Sequence, residues 1–152
     1  MTKLILNYEA KFIPPTKSLW GEAYFEISKD NFFPHERWTD MSLPFARAIL
    51  GSLKNIEKYK SIEKEVYFYD GPYEIKITKC AEEKNSNIFF VARDTVVSSA
   101  KIDYLLFSQE TKKCVFEFMR SIKNNAIYNE YTQYNDDFLE TKGLLDEFGF
   151  AL

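Results

Sequence analysis

Residues 62–79, IEKEVYFYDGPYEIKITK, constrain the fold more than any other stretch. Two β-rich runs flank Asp70-Gly71, a pair that tolerates the positive φ of a type I′ turn. Pro72 opens the second run, where a residue without an N–H is allowed. Tyr73, Ile75 and Ile77 alternate with Glu74, Lys76 and Thr78, so one face is apolar and the other polar. Such a hairpin pairs antiparallel and needs a cover for its apolar face.

Other segments supply more strands and the cover. Leu4, Leu6, Tyr8, Ala10 and Phe12 alternate with polar residues over 4–12, until Pro14-Pro15 ends the run. Residues 20–28, WGEAYFEIS, direct Ala23, Phe25 and Ile27 inward. IFFVARD and KIDYLLFS read as two further strands, with TVVSS extended between them. Residues 39–59 read as a helix. Ala46, Ile49, Leu50, Leu53 and Ile56 form its stripe, Asp40 or Ser42 caps it, and Pro44 lies in its first turn. Gly51 costs this helix about 1 kcal/mol against Ala, which a close approach to another element would explain. After Ser108 as N-cap, a second helix carries Val115, Phe118, Met119 and Ile122 and ends at Asn124-Asn125. The last segment supplies one or two further helical turns, broken near Gly143.

Strands joined by short turns, followed by helices, imply a single α+β domain over 1–152. Its expected form is a mainly antiparallel sheet of about six strands with helices packed on one face. Fourteen Phe and ten Tyr provide enough apolar area for a core without disulfide or metal.

Charge and motifs narrow the chemistry. The net charge of −3 argues against general nucleic-acid binding, which depends on Lys and Arg at phosphates. Residues 126–152 hold six acids and one Lys, whereas 1–125 hold seventeen acids and nineteen bases. The acidic tail reads as a solvated helix face or as an attraction for a basic partner. One His, two separated Cys (Cys80 and Cys114), and no glycine-rich phosphate loop imply no metal, no cofactor and no nucleotide. The start, MTKLILNYEAKF, lacks an apolar signal core, and no run approaches a membrane span, so the expected location is cytoplasmic.

Residues 32–40, FFPHERWTD, hold the lone His35 beside Glu36, with Trp38 and Asp40 following. His35 with Glu36 would suit acid–base chemistry in a small hydrolase or ligand-binding domain with a pocket there. The alternative is an aromatic-anchored corner, with Phe32, Phe33 and Trp38 packed down and His35, Glu36 and Arg37 in water. Tyrosines beside carboxylates read either as a protein-binding surface or as side chains half-buried within their own domain. Two sets qualify. One comprises Glu63, Glu65, Tyr67 and Tyr69, on the outer strand faces. The other, taken as the candidate partner-binding site, comprises Tyr128, Tyr131, Tyr134, Asp136, Asp137 and Glu140. An exposed edge strand would also support a homodimer.

The succession WGEAYFEIS, FFPHERWTD, SLPFARAIL and FYDGPYEIKI resembles small bacterial immunity-like proteins of polymorphic-toxin loci and their uncharacterised relatives. In that group an aromatic strand, an F-P-x-x-x-W-x-D corner, a helix and a D-G-P-Y hairpin follow in this order. Phe33, Pro34, Trp38, Asp40, Asp70, Gly71, Pro72 and Tyr73 carry the likeness here. The resemblance implies a non-enzymatic cytoplasmic protein that binds and neutralises a cognate toxin, and no membrane or nucleic-acid partner.

Overall fold

The structure, a computed structural model, describes residues 1–152. Eight strands form two antiparallel four-stranded sheets, and four helices complete the α+β fold. In the first sheet β1 (Lys3–Leu6) and β3 (Asn31–Phe33) flank β2 (Gly21–Ser28), and β4 (Thr39–Asp40) also pairs with β2. The second sheet is a meander of β5 (Ile62–Tyr67), β6 (Tyr73–Lys79), β7 (Ser86–Ala92) and β8 (Thr95–Ile102). The expected single sheet of about six strands is thus divided in two, because the long α1 (Ser42–Ile56) intervenes between β4 and β5.

Alternation places the apolar residues as expected. Val66, Ile75, Ile77, Ile88 and Phe90 are buried on one face of the second sheet, while Glu63, Glu65 and Tyr67 point out. The first sheet meets them through aromatic rings. Phe25 and Phe33 lie 5.8 and 5.2 Å from Phe90, and both touch Phe68, which stacks on Phe45 of α1 at 4.5 Å. One cluster of 30 buried residues draws on both sheets and on all four helices, so the two sheets share a core.

Several boundaries differ from the sequence reading. The first strand ends at Leu6, although Asn7 and Glu9 still donate to the carbonyls of Glu22 and Trp20. KIDYLLFS is strand only to Ile102. Asp103 accepts from the Leu106 N–H and starts α2 (Tyr104–Lys123), five residues before the expected cap at Ser108. A good N-cap overrides the apolar run that follows it. TVVSS belongs to β8 itself. In the C-terminal segment, α3 (Asn129–Tyr134) and α4 (Asp136–Glu147) part at Asn135, whose side chain accepts from the Phe138 N–H. Gly143 lies inside α4, and no helix is long and apolar enough to cross a membrane.

Candidate protein-binding surface

The corner 32–40 is one edge strand with an excursion in it. Glu22 turns its carbonyl to Asn7 on the β1 side, while Ala23 donates to the Trp38 carbonyl on the other. β3 and β4 therefore run along the same edge of β2, and residues 34–38 loop outward between them. Arg37, in the loop, adopts a positive φ of 60°. Its Nε donates to Glu22 Oε1 at 2.9 Å, which holds the Glu22 carboxyl below its ordinary pKa.

Asp40 closes the corner. Its residue is fully buried, and four N–H groups converge on its carboxylate. Oδ1 accepts from Met41 N (2.7 Å) and Tyr69 N (3.2 Å); Oδ2 accepts from Trp38 Nε1 (3.1 Å) and Asp70 N (3.2 Å). Hydrogen bonds to an ionised acceptor are the strong kind, and they can replace the water a buried carboxylate loses. Asp40 thus bolts the corner to the loop between β5 and β6. It is not the side-chain cap of α1: Met41 occupies the N-cap position, no side chain caps the helix, and Ser42 Oγ has no partner.

Aromatic rings fill the joint. Trp38 meets Tyr73 edge-on at 5.1 Å, and Tyr73 meets Phe33 at 5.7 Å. Gly71, at φ 74°, sits so close that a Cβ would fall 2.7 Å from the Tyr73 ring and 3.3 Å from Trp38. His35, Glu36 and Arg37 are exposed, as the aromatic-anchored reading requires. The His35 ring rests against Trp38 and Tyr73 at 5.8 and 6.1 Å. It lines none of the five principal surface cavities. No cluster of three or more His, Cys, Asp or Glu side chains is placed to hold a metal ion.

Beside this joint lies an exposed band of tyrosine and carboxylate. Tyr67 is 60% and Tyr69 43% exposed, with Glu63 and Glu65 on the outward face of β5. The Tyr67 hydroxyl donates to Glu65 Oε2 at 2.7 Å. That bond, with the Glu74 charge, pushes the phenol pKa up to about 12. A cavity of about 180 Å³ indents the band, lined by Tyr67, Phe68, Tyr73, Glu74, Arg93 and Asp94 among others. Its size suits a single side chain rather than a cofactor, since small-molecule pockets run from about 300 Å³ upward.

The C-terminal set does not form the surface expected of it. Tyr128 and Tyr131 are 0% and 1% exposed, so neither can touch a partner. The Tyr128 hydroxyl lies 2.7 Å from the carbonyls of Glu9 and Lys11 and accepts from Lys11 N, tying down the chain after β1. Tyr131 buries its ring at the start of the α3–α4 pair. Asp137 and Glu140 lie 3.3 and 2.7 Å from Arg47 of α1 and act across the α1–α4 packing. Of the six, Tyr134, Asp136 and Glu140 are exposed. Tyr128 and Tyr131 follow the alternative of tyrosines buried within their own domain, for which the i, i+3 pair Tyr128–Tyr131, continued by Phe138, is the sequence signal.

One further concavity was hidden from the sequence. A groove of about 610 Å³ runs between β1 and α2, lined by Leu4, Leu6, Tyr8, Cys114, Phe118 and Ser121 among others. Burial pushes the Cys114 thiol up to about 11, and its Sγ lies 3.3 Å from the Leu4 carbonyl. No protein-family model matches this chain, nor does any curated protein or solved structure.

Proposed function

We propose that this chain is a non-catalytic protein-binding domain, an immunity protein that neutralises a cognate bacterial toxin through the corner and hairpin surface. One observation carries the reading. The residues of the family resemblance come from two stretches about 30 positions apart; Trp38 and Asp70 donate to the buried Asp40 carboxylate, and Phe33, Gly71 and Tyr73 pack at the same joint. What they build is a rigid mount, and beside it stand Tyr67, Tyr69, Glu63 and Glu65. Tyrosine brings large contact area at little entropic cost, and carboxylates steer a basic partner. The hydrolase alternative needs a pocket at His35, and His35 stands exposed on the outside of the aromatic joint.

The test uses the toxin encoded by a neighbouring gene. Co-expression with this chain is expected to restore growth, and the purified proteins to form a 1:1 complex that weakens with salt. Tyr67→Ala and Glu65→Lys should each weaken it about tenfold or more, while Tyr134→Ala leaves it unchanged. A toxin that stays fully active beside the folded chain overturns the proposal. Losses confined to Tyr134 would move the surface back to the C-terminal helices.

A further inference from the structure

The two free edges of the second sheet are built differently. On β5 three successive charges, Glu63, Lys64 and Glu65, guard the edge. Sheets commonly place charge or proline there, because an open row of backbone N–H and C=O groups invites another strand. β8 reads TVVSSAKI, with no proline and one charge, Lys101, near its end. Six consecutive residues, 95–100, are uncharged, and Val96 and Val97 are 54% and 57% exposed. The only other interruption is a register shift against β7 at Val97.

We propose that β8 is a homodimer interface, where two copies of this chain pair antiparallel and join their four-stranded sheets into one of eight. Self-pairing is favoured by symmetry. A two-fold axis perpendicular to the sheet sets one residue opposite itself and keeps both sheet faces continuous. With Ser98 on the axis, Val97 lies opposite Ser99, Val96 opposite Ala100 and Thr95 opposite Lys101 of the second copy. No like charges meet. The two-fold also carries the exposed valines of each copy toward the other's Ala100–Leu106 end. Leu105 and Leu106 there are 51% and 42% exposed. Shifting the axis to Ser99 would instead set Val97 against Lys101 of the second copy.

Light scattering and sedimentation of the full chain, across micromolar to millimolar concentration, test this directly. The expected mass is twice the 17.9 kDa of one chain. Val97→Lys with Ser99→Lys sets Lys against Lys at two places and should raise the dimer dissociation constant at least tenfold. Val97→Lys with Ser99→Glu sets Lys against Glu twice and should return it to near the wild-type value. Both positions are exposed, and an unchanged urea midpoint verifies that each variant folds. A wild-type chain that stays monomeric throughout overturns the proposal, as does a dimer undiminished in the double-lysine variant. Equal weakening in both double variants overturns the register centred on Ser98.

Discussion

Asp40 has no exposed surface and no cation partner, so its charge depends on the four N–H groups around it. Asp40→Ala strands the Trp38 indole and three backbone donors. Each buried, unpartnered donor costs about 1 kcal/mol or more, so a loss of roughly 3 kcal/mol in urea unfolding is expected. Asp40→Asn is a poor rescue, because its amide nitrogen would face two donors. Two tyrosines in the C-terminal segment make the converse point. Tyr131's buried hydroxyl has no hydrogen-bond partner, whereas that of Tyr128 is held by the 9–11 backbone. Tyr131→Phe should therefore leave stability at pH 7 unchanged or slightly higher, and Tyr128→Phe should lower it by about 1 kcal/mol. Both are read from urea midpoints. Sequence alone identified these tyrosines as polar-tipped aromatics, but which tip meets a carbonyl depends on segments more than a hundred residues away.

Among the elements, turns and glycines separate local from tertiary causes. The sequence predicts a type I′ turn at Asp70-Gly71, but only Gly71 has positive φ and five residues, 68–72, connect the strands. The two-residue turn with both φ positive is Arg93-Asp94, at 52° and 65°, between β7 and β8. Asp40 accepting from Tyr69 and Asp70 explains the wider loop: those N–H groups are committed to the corner. The close approach expected at Gly51 is absent: a Cβ there would meet nothing within 4 Å, and neither would one at Gly143. The close approach is at Gly21, where a Cβ would fall 2.1 Å from the Asn7 carbonyl oxygen. Gly51→Ala and Gly143→Ala should thus each stabilise by up to about 1 kcal/mol, from helix propensity alone. Gly71→Ala should cost more than about 1 kcal/mol, because it meets both a positive φ and two rings. Thermal unfolding of the three variants checks the opposite signs.

At the scale of the whole molecule, burial governs the response to alkali. Desolvation raises the pKa of Tyr104, Tyr131 and Cys114, the last to about 11. A raised folded-state pKa gives a contribution fully present below the unfolded value and lost as pH rises. The unfolded thiol ionises near about 8.5 and phenols near about 10. Stability should therefore hold to about pH 8.5 and then fall, more steeply once the tyrosines join above about 10. Urea midpoints at rising pH measure this, and Tyr131→Phe should make the steeper part shallower. By itself the sequence determined which residues alternate and which faces are apolar, hence the α+β class and the burial of Ile75, Ile77, Ile49 and Leu53, while at 32–40 it left a pocket and an aromatic-anchored corner both open. Those properties follow from side-chain period and chemistry over a few neighbouring residues. Only the tertiary structure decided that the strands divide into two sheets, that Asp40 serves the hairpin rather than its own helix, and that Tyr128 and Tyr131 go inside. Each of these depends on a partner distant in sequence, and the choice between a helix cap and a remote N–H, or between water and a core, is made by the packing that brings that partner within reach.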